Sequence, residues 1–214
     1  MSEGLERESE RERDPGRGLG LDRRCALVLI DLQRGILGLP LARPGAEVLA
    51  RGVELARAFR ERGLPVVLVR VAWSPDGGDL PGADADRPRA AEPPPPSFSE
   101  LPPELTGPGD VLITKRHWGA FTGTELDLQL RRRGVDRIVL GGISTSIGVE
   151  STARNAWELN YRLVFVEDAT ADTDAEAHAH TFGKIFPRIG RVSDAAGVLA
   201  GLRGVAGGGG GGGR

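Results

Sequence analysis

The stretch from Asp136 to Asp172 reads DRIVLGGISTSIGVESTARNAWELNYRLVFVEDATAD, and its pattern predicts a fold. An apolar run at 138–140 precedes two glycines, small hydroxyl residues and a helical pattern, and a second apolar run follows at 163–166. Strand, turn, helix and strand in this order form a βαβ unit. Ligands bind at the carboxyl ends of the strands in an open parallel sheet. We therefore expect the functional site at the turn 142–148.

The same alternation continues on both sides of this unit. Further strands are predicted at 25–32, 64–71, 110–114 and 190–192, and further helices at 45–62, 124–133, 175–185 and 195–202. Continuous apolar runs are typical of parallel strands that are buried on both faces. The chain is therefore expected to be an α/β protein with a parallel sheet covered by helices on both sides.

Length and composition predict one domain between two tails. The chain has 214 residues, and the part without the tails is long enough for one sizeable core. Residues 1–24 are rich in Glu and Arg and are expected to be a disordered tail. The domain is predicted to span 25–203, and residues 204–214 are expected to form a Gly-rich flexible tail.

Charge and cysteine content exclude several classes of function. A net charge of −2 offers no general attraction for nucleic acid, so no nucleic-acid partner is expected. No apolar run is long enough to span a membrane, and no signal-peptide core is visible, so a cytoplasmic protein is expected. Cys25 is the one cysteine, which excludes an internal disulfide and any site with several thiolates.

A long proline-rich loop is expected between 72 and 109. Loops of this length inside a compact domain are usually lids, binding loops or interface arms. A floppy insertion is the alternative, and the sequence does not decide between them.

Three strand ends carry candidate functional residues. Asp31 follows the first strand, Lys115 follows the third, and the turn 144–148 follows the fourth. Parallel strands bring all three carboxyl ends to one edge of the sheet. An aspartate and a lysine in one pocket suit acid–base chemistry because each tunes the pKa of the other. Backbone N–H groups of the turn are expected to bind an oxyanion or an anionic substrate group.

Three motifs resemble the isochorismatase-like hydrolase superfamily, also called the cysteine hydrolases. They are ALVLIDLQ at 26–33, TKRHWGAF at 114–121 and GGISTSIGVESTARNAWELNYRLVFVEDA at 141–169. Nicotinamidases, N-carbamoylsarcosine amidases and isochorismatases belong to this superfamily. The resemblance covers 26–198 and implies a Rossmann-like three-layer sandwich with a six-stranded parallel sheet. It also implies a homo-oligomer, a dimer or a tetramer, that acts on a small molecule.

The resemblance also implies roles for individual residues. Asp31 matches the catalytic aspartate, Lys115 matches the catalytic lysine, and Gly148 stands where the family has its nucleophilic cysteine. Ile143–Ser144 matches a non-proline cis peptide bond, and Ser144 and Gly148 match the backbone donors of the oxyanion hole. The residues expected to bind substrate are Gln33, Trp118, Phe121, Ser144 and Thr145, although the two aromatic residues would look the same in a core.

Two departures from the family pattern bear on the chemistry. Glycine at position 148 closes the thioester route of the amidases. Cys25 cannot replace the missing thiol, because six residues of extended strand place it roughly 20 Å from Asp31. The stretch 71–76 lacks the histidine of the nicotinamidase metal site, and His178 and His180 do not share a helix face. Neither a metal nor a cofactor is expected.

Three hypotheses about function remain open. Isochorismatases also have glycine at the cysteine position and cleave a vinyl ether, but Ser144-Thr145-Ser146 differs from their Tyr-Ala-His. The favoured hypothesis is a cysteine-free hydrolase of a small carboxylated metabolite, with Asp31 as general acid or base and vinyl-ether hydrolysis as one option. The second is a catalytically silent relative that binds a metabolite or serves in an assembly. The third is an amidase with a displaced nucleophile.

Overall fold

The computed structural model describes residues 18–82, 84–86 and 92–205. Most of the two predicted tails, residues 1–17 and 206–214, lies outside the described residues. Leu19 and Val205 are both buried and belong to the same hydrophobic core as the sheet. The packed part of the chain therefore extends a few residues beyond the predicted domain limits of 25 and 203 on each side.

Six strands alternate with seven α-helices in the part of the chain described. The strands are β1 (Cys25–Ile30), β2 (Val66–Val71), β3 (Val111–Lys115), β4 (Arg137–Ile143), β5 (Arg162–Ala171) and β6 (Arg191–Ser193). The helices are α1 (Arg34–Leu37), α2 (Gly45–Glu61), α3 (Leu126–Arg132), α4 (Glu150–Glu158), α5 (Ala175–His180), α6 (Phe186–Ile189) and α7 (Ala195–Leu202). Wide π-helical turns, Thr145–Val149 and Thr181–Ile185, lead into α4 and α6, and a short 3-10 helix covers Pro96–Ser99.

The strands form one parallel sheet in the order β3-β2-β1-β4-β5-β6. This confirms the predicted six-stranded α/β fold. From β1 to β3 each new strand lies on one side of the strand before it, and from β4 to β6 each lies on the opposite side, so the order reverses between β1 and β4. Ligands bind in the crevice at such a switch point, at the carboxyl ends of the two central strands.

Two hydrophobic cores flank the sheet, as a three-layer sandwich requires. Leu27 and Leu29 of β1 face the core that α2 and α7 cover. Val28 and Ile30 face the opposite core, which is covered by α3, α4 and α6. Successive strand side chains point to opposite faces, so a strand that is apolar at every position is buried on both sides. None of the described helices is long and apolar enough to cross a membrane.

Strand β4 is longer than its apolar run suggested, and its end shapes the site. The ladder continues past a bulge, with Gly142 opposite Thr170 and Ile143 opposite Ala171 of β5. Gly142 has φ +129°, and a Cβ atom there would lie 2.1 Å from the carbonyl oxygen of Ile30. Only glycine allows β4 to approach β1 so closely. This approach places the turn after β4 beside Asp31.

Candidate active site

A buried carboxylate–ammonium pair lies at the carboxyl edge of the sheet. Asp31 directly follows β1 with φ +53°, and Lys115 ends β3. The Lys115 Nζ atom is 2.7 Å from Asp31 Oδ2, and both side chains are less than one-tenth exposed. Nζ also donates a hydrogen bond to the carbonyl oxygen of His117 at 3.1 Å. Asp31 Oδ1 is buried and has no hydrogen-bond partner in the part of the chain described.

The surroundings of Asp31 favour a carboxyl that exchanges its proton near neutral pH. Burial raises the pKa of Asp31 to about 6, against the opposing effects of the Lys115 charge and its hydrogen bond. Desolvation disfavours the charged form of an acid, whereas a nearby cation favours it. A carboxyl with this pKa and one free oxygen can act as a general acid or base.

Gly148 lies against this pair, where the family resemblance places a nucleophile. A Cβ atom at position 148 would be 3.3 Å from Asp31 Oδ2 and 3.2 Å from Ile30 Cγ2. Any side chain at this position would therefore touch the carboxylate. Cys25 lies at the opposite end of β1, and burial raises the pKa of its thiol to about 11. A thiolate cannot form there near neutral pH.

The turn between β4 and α4 is held by side chains that the sequence analysis did not single out. The Ile143–Ser144 peptide bond is cis. Asp172, which follows β5 and is buried, accepts hydrogen bonds from the backbone N and the Oγ of Ser146 at 2.7 and 2.8 Å. An aspartate after an apolar strand is the same signal that identified Asp31, and it could have identified Asp172 as well.

A cavity of about 330 Å³ opens above Asp31, Lys115 and Gly148. Its size falls at the lower end of the range for small-molecule sites. The walls are largely apolar, and Lys115, Arg116 and His117 add basic groups along one side. The other lining residues are Ile36, Leu39, Val71, Trp73, Phe98, Trp118, Ile143, Ser144 and Ile147.

The long loop after β2 supplies one wall of this cavity. Trp73 and Phe98 line it, with ring centroids 6.5 Å apart. The Gln33 amide donates hydrogen bonds to the carbonyl oxygens of Val71 and Phe98 at 3.0 and 3.1 Å, and Ser99 Oγ donates to the Val71 carbonyl. These bonds hold the end of the loop against the sheet edge. Residues 83 and 87–91 of the loop lie outside the described residues.

The expected substrate-binding residues divide into two groups. Ser144 and Trp118 line the cavity, and the Trp118 side chain is exposed. Gln33, Phe121 and Thr145 are not among the lining residues. Gln33 is fully buried and also accepts a hydrogen bond from the Val71 N–H at 2.8 Å, so backbone groups use its whole amide.

Phe121 and Thr145, the other expected substrate-binding residues that do not line the cavity, contact other protein side chains. Phe121 packs on Tyr161 with ring centroids 5.8 Å apart. The Oγ1 atom of Thr145 lies 2.7 Å from His178 Nδ1, and Thr145 is fully buried. Trp73 and Phe98 are cavity residues that the sequence analysis missed, because a loop can be placed only once its anchors are known, and Arg116, directly after β3, was missed as well. No group of three or more His, Cys, Asp or Glu side chains in the described ranges could hold a metal ion.

Comparisons with known proteins agree with this architecture. The family model described as the isochorismatase domain matches residues 25–197. YecD of Escherichia coli O157:H7, an uncharacterized isochorismatase family protein, is 50% identical over 181 residues, which cover 83% of this chain and 95% of that protein. A maleamate amidohydrolase of Pseudomonas putida is 28% identical over 201 residues and covers 90% of this chain and 93% of its own length. The solved structure of an isochorismatase family protein from Burkholderia thailandensis has a TM-score of 0.83 at 48% identity, covering 86% of this chain and 97% of that chain.

Proposed function

The chain belongs to the isochorismatase family of hydrolases, and we propose that it hydrolyses a small carboxylated metabolite without a covalent enzyme intermediate. One observation carries the proposal. The Asp31 carboxyl is buried, bonded to Lys115 through one oxygen and free at the other, and it faces a residue that has no side chain. This arrangement supports acid–base chemistry rather than attack by a thiol.

The proposed reaction is the hydrolysis of an enol ether. Protonated Asp31 gives its proton to the terminal carbon of the C=C bond, and the electron pair of that bond forms the new C–H bond. The resulting oxocarbenium carbon adds water, which loses a proton to the Asp31 carboxylate. The hemiketal hydroxyl then loses its proton and forms the C=O bond, the C–O bond to the ether oxygen breaks, and that oxygen takes up a proton through the Asp31 carboxyl, which releases an alcohol and a keto acid. Lys115 stabilises the carboxylate between these proton transfers because its ammonium group lies 2.7 Å away.

The cavity supports a small anionic substrate. Lys115, Arg116 and His117 line it, with Lys115 paired to Asp31 and Arg116 to Asp79, and its apolar walls limit the water that competes for a bound anion. Backbone N–H groups of Ser144 and Gly148 are the proposed donors to the carboxylate or to the developing charge. We further propose that the protein acts in the cytoplasm as a homodimer or homotetramer.

A product assay tests this function. Purified protein is offered isochorismate, with pyruvate as the product measured, and separately a panel of small amides that includes maleamate, with ammonia measured. Pyruvate formation that disappears in Asp31→Asn and persists in the exposed control Asp84→Asn would establish the enol-ether reaction. Ammonia formation would instead establish an amidase, in line with the maleamate and ureidoacrylate amidohydrolases among the relatives of this chain. Binding without either product would identify a silent relative.

A further inference from the structure

A second and larger cavity, of about 960 Å³, opens at the opposite edge of the sheet. It lies at the amino-terminal ends of three adjacent strands. Each of these strands begins with an arginine that lines the cavity: Arg137 in β4, Arg162 in β5 and Arg191 in β6. No residue of the proposed active site contributes to it.

Two of these arginines are direct neighbours in the sheet. Arg137 and Arg162 are paired in the β4–β5 register. Like charges at directly opposite positions destabilise a strand pair unless something neutralises them. Asp136 neutralises Arg162, whose Nη2 atom lies 2.5 Å from Asp136 Oδ1. The other oxygen of Asp136 already pairs with Arg24, at 2.6 Å.

Arg137 forms no ion pair with a described residue, although Asp22 and Asp136 lie close enough for their charges to act on it. Its side chain makes no hydrogen bond to the described part of the chain either, and its Nε atom is buried without a partner. The residue is 8% exposed because residues 18–20 cover it, and a Cβ atom at Gly20 would lie 2.8 Å from Nη2. Burial and the neighbouring Arg162 charge lower the pKa of Arg137, against the opposing charges of Asp22 and Asp136. A buried cation without a partner is costly, and an anion in the cavity removes that cost.

We propose that this cavity is a second binding site, which takes the phosphate group of a small molecule on Arg137, Arg162 and Arg191. The planar guanidinium presents several N–H donors in a fork that matches a phosphate group, and ion-paired hydrogen bonds of this kind are strong. Glu158 is the one acidic residue among the lining residues described, and Asp136 pairs with Arg162 from outside the lining, so the three arginines still outnumber these two carboxylates. The half-exposed indole of Trp157 on the same wall adds a flat apolar surface for the rest of the ligand.

The test uses the full chain and pyrophosphate as the probe. The Tm is followed by differential scanning calorimetry, and the Kd by isothermal titration calorimetry, at constant ionic strength. Pyrophosphate at 100 times its Kd is expected to raise the Tm by about 5–10 °C, while sodium chloride of equal ionic strength does not. Arg137→Met should lose this increase and weaken binding at least about tenfold. Without pyrophosphate its Tm should equal or exceed that of the wild type, because an unpaired buried charge has been removed.

Further variants keep the test decisive. Arg132→Met, which changes an exposed arginine on α3, should bind pyrophosphate as the wild type does. Arg191→Met removes an exposed lining residue, so it will fold even if Arg137→Met does not, and it should weaken binding about threefold to tenfold. Binding that persists unchanged in both cavity variants would place pyrophosphate elsewhere and overturn the proposal. In a further variant, the acidic residues within 3–14 are replaced by amides. If pyrophosphate binds only to that variant, the chain's own carboxylates are the partners of the three arginines, and the proposal is overturned too.

Discussion

Neutralising Asp31 and Lys115 separately and together should change stability and activity in different ways. The two charges are 2.7 Å apart and both side chains are less than one-tenth exposed, so water screens them little. At an effective dielectric constant of about 20, their attraction is on the order of 6 kcal/mol. Asp31→Asn alone leaves the Lys115 ammonium buried without a counter-charge. We expect it to lower the free energy of unfolding by about 3–5 kcal/mol.

The double variant Asp31→Asn/Lys115→Met removes both charges. It should recover most of that loss, because replacing a whole buried ion pair by neutral groups is often close to neutral in stability. Activity should be lost in Asp31→Asn, in Lys115→Met and in the double variant, since the proposed proton transfer needs the carboxyl and its cation. Urea unfolding followed by circular dichroism gives the free energies, and the pyruvate assay gives the activity.

Two results would refute this reasoning. A loss below about 1 kcal/mol in Asp31→Asn would mean that the pair behaves as an exposed surface pair. Turnover in the refolded double variant would mean that other groups carry the reaction. The exposed pair Arg57–Glu61 on α2 serves as the control, and neutralising either partner should change stability by less than about 1 kcal/mol.

Three further predictions follow from the site. Because the proposed step uses protonated Asp31 with a pKa of about 6, kcat/KM should be constant below pH 6 and fall about tenfold per pH unit above it; a fall on the acid side would contradict the acid role. Gly148→Cys should place a thiol beside Asp31 at a cost of about 1–3 kcal/mol in stability. Mass spectrometry should show that iodoacetamide labels this thiol and leaves buried Cys25 unlabelled. Equal labelling of the wild type would show that Cys25 is reactive. Gln33→Met should lower the Tm by about 4–8 °C, since three hydrogen bonds to backbone groups are lost. The control Gln129→Met on α3 should lower the Tm by less than about 2 °C. Similar Tm values for the two variants would show that the Gln33 hydrogen bonds do not hold the loop.

The positions of the strands along the chain could be predicted because the sequence patterns that mark a strand are local. Continuous apolar runs marked the strands, and Asp31 just after β1 and Lys115 at the end of β3 form an ion pair. Parallel strands bring such residues to one edge whatever the loops do. The edge of the sheet was therefore predictable before any contact was known.

The lining of the cavity could not be predicted in the same way. Gln33 follows Asp31 by two residues, yet its side chain turns to β2 and the loop, because backbone groups there need partners once they are buried. Trp73 and Phe98 are 25 residues apart and meet only through those anchors. Thr145 faces His178 on α5, a contact set by the packing of two elements rather than by sequence spacing.

Two glycines near the site differ in how much mutational freedom they leave. At position 142 the backbone is left-handed and a Cβ atom would collide with Ile30, so every alternative residue disrupts the sheet. At position 148 the backbone is not left-handed and the nearest atoms need move only a few tenths of an ångström. The glycine codons GGT and GGC differ from a cysteine codon in one base, so a single mutation of such a codon would add a thiol beside Asp31 and leave the rest of the scaffold in place. The presence or absence of a covalent nucleophile is therefore an easily reversed trait in this architecture, whereas the strand geometry that supports it is not.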